Sequence, residues 1–319
     1  MSKSINMFRG LIVAIALPLL GSPAFAADKK LVIGFAQAGS ESGWRAANTE
    51  SIQREAALRG ITLKYVNGQG QAANQIAALH SFIADKVDAI VLAPVVETGW
   101  DDVLNEVKAA GIPVIIMDRA LRTTGEEELY TAFLGSDFAE EGHMAAEWMI
   151  KNAGSRTKIV ELQGTPGSSA AQGRRRAFIE AVAKLQRFKI IDTQVADFRQ
   201  DKGKERMIEM LKKHGKTIDI VYAHNDDMAF GAMEAIEEAG LKPGKDIMIV
   251  SFDAIKPALQ AIVDGRMNCT VECNPLFGPI VFDTVQKVLH GEKVRRTTFN
   301  KDQVIDTTNA AALLPTRQY

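Results

Sequence analysis

From Leu31 onward, short runs of β-branched and apolar residues alternate with longer segments whose apolar positions recur every three or four residues. The run 31–35 reads as a strand, and the helix-length segment after it ends at Gly60, where glycine can take the left-handed cap. A strand over 61–66 follows. In the next helix Ala72, Ile76, Leu79 and Ile83 fall at spacings of four, three and four and build one apolar stripe. Strand 89–92, helix 101–110 and strand 114–117 complete the first series. After a polar stretch the rhythm restarts: helix 140–152, strand 158–162, helix 170–185, then three strand and helix pairs beginning at residues 190, 218 and 247. A strand at Cys269 and a helix carrying Ile280, Val281, Val285 and Val288 close the series.

Parallel strands need a helical crossover, so this alternation predicts an α/β chain with parallel sheets covered on both faces. Roughly ten strands exceed one comfortable core, and two doubly wound lobes are expected, with the break near Thr131 to Ser136.

Ahead of the series, Lys3 and Arg9 precede an apolar run over 10–20, and Ala24-Phe25-Ala26 forms a small-x-small cleavage site. That pattern is a secretory signal peptide, and the run is about half of the ~20 residues a spanning helix needs. Removing residues 1–26 takes away two basic residues and no acidic one, so the formal charge moves from -1 to -3. With no excess of positive charge, nucleic acid is not an expected partner. The expected product is a soluble, periplasmic monomer, cleaved near Ala26.

The residues just beyond each strand are where a doubly wound sheet binds ligands. Here they are Ser40 to Arg45, Asp118 and Arg119, the segment from Gly164 to Arg174, Phe198, Asn225 to Asp227, and Asp253. Carboxylates, guanidiniums, an amide and aromatic rings are what a sugar requires. Vicinal hydroxyls donate to a carboxylate and accept from Arg or Asn, and a ring covers the apolar C–H face. Each residue also has a plainer reading. Asp118-Arg119 is compatible with a surface ion pair, Trp44 with the core, and Arg174-Arg175-Arg176 with a solvated helix face that turns one member inward. In Asn225-Asp226-Asp227 the expectation is that Asn225 serves the ligand and an Asp caps the helix.

Other chemistries find little support. Gly68-x-Gly70-x-x-Ala73 follows the second strand and lacks the context of a dinucleotide fingerprint. The five histidines show no metal-ligand spacing, and no G-x-S-x-G elbow occurs, so neither a cofactor nor an enzyme is expected.

Four runs carry a family resemblance: Gly39-Ser40-Glu41-Ser42-Gly43-Trp44-Arg45, Ala93-Pro94-Val95-Val96 with Thr98-Gly99-Trp100, Glu161-Leu162-Gln163-Gly164-Thr165, and Val221 to Met228. Over nearly the whole mature length the chain resembles the periplasmic binding proteins of ribose and galactose type, the sugar receptors of ABC importers. Within that family it is most similar to the galactofuranose-binding members. The resemblance implies capture of galactofuranose or a related aldose and delivery to the importer's transmembrane subunits. It implies a ligand set of Ser40, Trp44, Arg45, Asp118, Arg119, Arg174, Phe198, Asn225, Asp253 and Cys273. It also implies three crossings, with residues 27–132 plus 275–300 in the first lobe and 133–274 plus 301–319 in the second. Two positions depart from the ribose receptors: Gln172 stands where they carry an Arg, which passes the guanidinium role to Arg174, and Cys273 stands where they carry a Gln.

Sugar-responsive repressors share such a core but carry a helix-turn-helix where this chain has its signal peptide. A receptor presenting sugar to a chemoreceptor or sensor kinase has the same site and remains the alternative.

Cys269 and Cys273 are the two cysteines. Four residues of strand span ~13 Å, whereas bridged Cα atoms lie within ~7 Å, so two free thiols on one strand face are expected. Thiol titration of the denatured protein should therefore find both; finding none would mean a disulfide.

Overall fold

The computed structural model describes residue 1, residues 30–125 and residues 129–319. The signal peptide expected over 1–26 lies outside the described residues. Among those described, no helix is long and apolar enough to cross a membrane.

The chain alternates as expected. The first series is β1 (Val32–Gln37), α1 (Gly43–Leu58), β2 (Thr62–Asn67), α2 (Ala72–Ala84), β3 (Ala89–Leu92), α3 (Asp101–Ala109), β4 (Val114–Met117) and β5 (Ala132–Gly135). The second is α4 (Phe138–Asn152), β6 (Thr157–Gln163), α5 (Ser169–Val182), β7 (Phe188–Val195), α6 (Gln200–His214), β8 (Ile220–Ala223), α7 (Asp226–Glu238), β9 (Met248–Asp253), α8 (Lys256–Val263) and β10 (Cys269–Glu272). The chain then adds α9 (Gly278–Leu289), β11 (Thr297–Phe299), β12 (Val304–Asp306) and α10 (Ala310–Leu313).

Two six-stranded sheets result, in the orders β11-β5-β4-β3-β1-β2 and β12-β10-β9-β8-β6-β7. Every pairing is parallel except β10 with β12. Strands β3, β4, β5, β8 and β10 are buried at every residue, as strands covered by helices on both faces must be. Gly60 takes φ +67° just past α1, the left-handed turn that stops the helix. In each sheet the first strand of a half, β1 or β6, lies between its two sequence successors. That reversal leaves a crevice at the carboxyl ends, and the two crevices supply the site.

Three short strands escape the periodicity reading. Residues 132–135 read as a linker, yet they pair with β4 inside the first sheet, so the first passage between lobes follows Gly135 rather than residue 132. Helix α9 packs its Val281, Phe282 and Val285 into the core, and β11 pairs with β5, before β12 returns to the second sheet. The three passages are tied together: Asn300 donates from Nδ2 to Ser136 Oγ (3.4 Å) and to the Asn274 carbonyl (3.2 Å). Both cysteines are free and buried, Cys269 within β10 and Cys273 just beyond it.

Candidate functional site

Between the two sets of strand ends lies a cavity of about 290 Å³. Its wall contains Trp44, Arg45, Asp118, Arg119, Arg174, Phe198, Asn225, Asp253 and Cys273, all expected from the sequence, together with Glu41, Ser42, Phe138 and Ala170. Ser40 is the exception: it is exposed and lines a neighbouring opening. The reason is local, because Ser42 is the residue that caps α1, accepting from the Arg45 N–H (3.1 Å), and the turn into the helix carries Ser40 outward.

On the first lobe, Asp118 and Arg119 are each 4% exposed, which removes the surface ion-pair reading. Arg45 Nη1 lies 2.7 Å from Asp118 Oδ2, and Glu41 Oε1 lies 3.4 Å from Arg45 Nε and 3.1 Å from Arg119 Nη2. Burial disfavours the charges of Glu41, Arg45 and Arg119. For Arg45 the facing Asp118 and Glu41 outweigh it, and for Glu41 the two guanidiniums hold the carboxyl below its usual range. Arg119 is pulled down by burial and by Arg45, though a guanidinium stays charged. Two arginines therefore face two carboxylates. Trp44 belongs to both readings, buried in the core yet lining the cavity, with Nε1 donating to the Cys273 carbonyl (2.6 Å).

On the second lobe Arg174 is the member of its basic run that turns inward. Nε pairs with Glu141 Oε2 (2.7 Å), Nη1 donates to the His224 carbonyl (2.5 Å), and Nη2 reaches Asp253 Oδ1 (3.3 Å). Burial works against the Arg174 cation, but Glu141 and Asp253 outweigh it. The carboxyls bear the cost. Burial, with Asp302 adding repulsion, pushes Glu141 up to about 8 despite Arg174. Burial together with Asp227 and Asp118 pushes Asp253 up to about 7. Among the described residues, Glu141 Oε1 is buried without a hydrogen-bond partner.

Asp118, Phe198 and Asp253 all hold positive φ (63°, 60° and 101°), a region that costs a non-glycine residue ~1–3 kcal/mol. All three line the cavity. The strain aims side chains from strand ends into the crevice. Phe198 is held further by Gly164, where an added Cβ would stand 2.0 Å from the ring. Arg119 lies 5.0 Å from that ring's centroid, so a residue of each lobe meets there.

Asn225 departs from its expected division of labour. It is itself the cap of α7, its Oδ1 accepting from the Met228 N–H (3.0 Å) while Nδ2 donates to the Phe198 carbonyl (3.1 Å). Asp226 is fully buried and accepts from Ser251, Thr270 and the Ile255 N–H. Asp227 crosses to the other lobe, where both oxygens accept from the Gly43 N–H at the start of α1 (3.0 and 3.2 Å). Further contacts join the lobes, from Glu97 N–H to the Gly167 carbonyl (3.0 Å) and from Ala120 N–H to Ser169 Oγ (2.9 Å). Gln172 sits outside the cavity, donating to Glu97 Oε2 (2.6 Å). Of the two departures from ribose receptors, Cys273 is the one in the wall.

The residues missed have identifiable causes. Phe138 follows β5, and an unread strand has no strand end. Glu41 and Ala170 lie within segments flagged as strand ends, but nothing in their spacing singles them out. Chemically, the wall balances anions and cations around aromatic surface, which suits an uncharged ligand with many hydroxyls.

Glu141 generates a prediction about stability. In the folded protein burial pushes its carboxyl up to about 8, from the 4.5 of a solvated glutamate. The native state thus binds the extra proton between those values, and stability from this group falls as pH rises through the window. Glu141→Gln, which keeps an acceptor for Arg174, should flatten the decline in melting temperature between pH 6 and pH 8.5. An unchanged slope would assign the decline to other groups.

The comparisons with known proteins agree with this geometry. The periplasmic binding protein domain model matches residues 33–293. The chain is 46% identical over 282 residues to the galactofuranose-binding protein YtfQ of Escherichia coli strain K12, covering 88% of each chain. A solved structure from Mycobacterium smegmatis in complex with β-D-fucofuranose superposes with TM-score 0.87 at 47% identity, over 91% of this chain and 95% of that one. The arabinose ABC transporter's periplasmic binding protein from Shewanella sp. ANA-3, bound to α- and β-L-arabinofuranose, gives 0.86 at 43%, over 90% and 95%. A domain match this long, on two doubly wound lobes enclosing a polar cavity, makes the chain a member of the periplasmic binding protein family.

Proposed function

We propose that the chain captures a monosaccharide in its furanose form between its two lobes and delivers it to the transmembrane subunits of an ABC importer. One observation carries the reading: a charge-balanced cavity of about 290 Å³, walled by both lobes at once. Asp118 and Asp253 offer acceptors to pairs of hydroxyls, Arg45, Arg119 and Arg174 offer donors, and Trp44 and Phe198 cover the ring's C–H face. The furanose form rests on the relatives' ligands, which are galactofuranose, fucofuranose and arabinofuranose. A ligand that touches both lobes favours the arrangement in which they meet, and that difference in affinity drives hinge closure about the three passages. The working unit is a monomer in the periplasm, freed of residues 1–26, and it needs no cofactor and no nucleic acid.

The ligand is released unchanged. Cys273, the one thiol in the wall, is pushed well above its ordinary value by burial and then by Glu141, so it stays protonated and is no nucleophile.

A thermal-shift screen of aldoses, amino acids and nucleosides tests the class. Galactose, fucose or arabinose should raise the melting temperature in proportion to the logarithm of excess ligand. A response to amino acids or nucleosides and to no sugar would refute the reading. With the responding sugar in calorimetry, Asp118→Ala should weaken binding at least ~100-fold, about 2.7 kcal/mol, without loss of fold. Unchanged affinity would remove Asp118 from the site. Gly164→Ala should push the Phe198 ring into the cavity and weaken binding ~10-fold, about 1.4 kcal/mol; affinity equal to wild type would mean the ring finds room elsewhere.

A further inference from the structure

Glu161 lies inside β6, fully buried and outside the wall of the cavity. A carboxylate taken out of water needs donors on its oxygens. Oε2 has three: Thr193 Oγ1 (2.9 Å) and Gln163 Nε2 (3.1 Å) donate to it, and Arg175 Nε lies 3.3 Å away. Among the described residues, Oε1 meets the His224 ring alone, 3.1 Å from Nε2. Burial opposes the Glu161 charge, but His224, Arg175 and Thr193 outweigh it and hold the carboxyl below its usual range. Burial pushes His224 below its ordinary value in spite of Glu161, so the ring is neutral at pH 7.

A neutral imidazole has one N–H, and here its partners decide which nitrogen carries it. The Gly164 N–H faces Nδ1 at 3.4 Å, and an amide N–H can only donate. The ring proton is therefore on Nε2, directed at Glu161. Two parts of the cavity wall depend on this residue. Gly164 lies against the Phe198 ring so closely that an added Cβ would stand 2.0 Å from it. The His224 carbonyl receives Arg174 Nη1 at 2.5 Å.

We propose that Glu161 is a positioning residue for ligand capture: by holding the His224 ring in one tautomer it fixes the Gly164 turn against which Phe198 rests and the carbonyl that receives Arg174. The proposal rests on the sugar-binding reading above and adds to it a residue that never touches the sugar. Glu161→Gln exposes the dependence. Its amide oxygen stays with the three donors on the Oε2 side, because an NH2 there would face N–H groups. The NH2 then meets His224 Nε2, the ring proton is displaced to Nδ1, and two N–H groups oppose each other at Gly164. The turn gives way, and the Phe198 ring moves with it.

The test joins calorimetry, using the aldose that gives the largest thermal shift, to 15N spectra of the histidine rings in the full mature chain. The His224 signals are those that vanish in His224→Gln. Wild-type protein should show Nε2 protonated and Nδ1 bare, and Glu161→Gln should show the reverse. Glu161→Gln should also bind the sugar at least ~10-fold more weakly, the effect of one buried donor left opposed. His224→Gln still donates to Glu161 but has no acceptor beside Gly164, so it should lose affinity to the same extent. The double variant should lose no more than either single one, because both act through one contact. Trp148→Phe, which removes a bond to Asp306 (2.7 Å) outside the cavity wall, should lower the melting temperature and leave affinity unchanged. The proposal is overturned if wild-type His224 carries its proton on Nδ1 or on both nitrogens, or if Glu161→Gln keeps the wild-type tautomer. It is overturned as well if the tautomer reverses with no change in affinity, if the two losses add, or if Trp148→Phe weakens binding as much. Should Glu161→Gln fail to fold, the wild-type spectrum and His224→Gln still decide it. Wild-type protein that binds no sugar sinks the underlying reading instead, and the ring spectrum, which needs no sugar, tells the two failures apart.

Discussion

Arg174 sits 2% exposed between Glu141, Asp253 and the carbonyl of His224, and a guanidinium in such a place cannot be left without partners. Removing a charge from water costs several kcal/mol, and a buried pair recovers this only when geometry and further hydrogen bonds are good. Much of the second lobe's architecture follows from that need. His224 is oriented through Nε2 to Glu161 Oε1 (3.1 Å), and its Nδ1 accepts from the Gly164 N–H (3.4 Å). The loop bearing the Arg174 acceptor and the loop packing Phe198 are therefore parts of one network. On the first lobe Arg45 and Arg119 impose the same demand on Asp118 and Glu41. Charge that must be neutralised locally yields a wall that is polar without a dominant sign.

Such a wall is selective in a particular way. An anion or cation entering it would disturb a balance already struck, whereas a polyol exchanges hydrogen bonds with groups that are already paired. The groups do not need to move to meet it. Asp118, Phe198 and Asp253 are held at positive φ, and Asn225 is committed to capping α7. These rigid side chains are spread over two lobes, so rigidity within each lobe leaves the relation between lobes as the free coordinate.

The fold was legible in the sequence because long parallel strands and their helices carry strong periodicity. The elements lost were β11 and β12, three residues each and too short to show a period, and β5, which follows β4 with no helix between them to mark a new unit. The candidate site was legible to the extent that topology places strand ends together, which found Asp118, Arg174 and Asp253 without coordinates. What topology cannot supply is which side of a turn a residue occupies. Ser40 and Glu41 are adjacent, and the cap formed by Ser42 sends one outward and the other inward. Nor can it show that one residue serves a helix from the opposite lobe. Asp227 reads as a local cap of α7, but its partner Gly43 is 184 residues away.

The return of the chain to its first lobe bears on how the protein is made. Helix α9 packs against α1 and buries its Val281 and Phe282, and β11 supplies the edge beside β5. A nascent chain that has delivered only residues 30–135 presents an uncovered helix face and an open parallel edge, both invitations to aggregation. The whole second series must emerge before α9 and β11 can arrive, so neither lobe finishes early: the first waits for β11 and the second for β12. Contacts spanning more than 200 residues also make closure of the first lobe a slow, non-local event. A chain that remains unfinished until nearly its last residue stays threadable for as long as it is being translated.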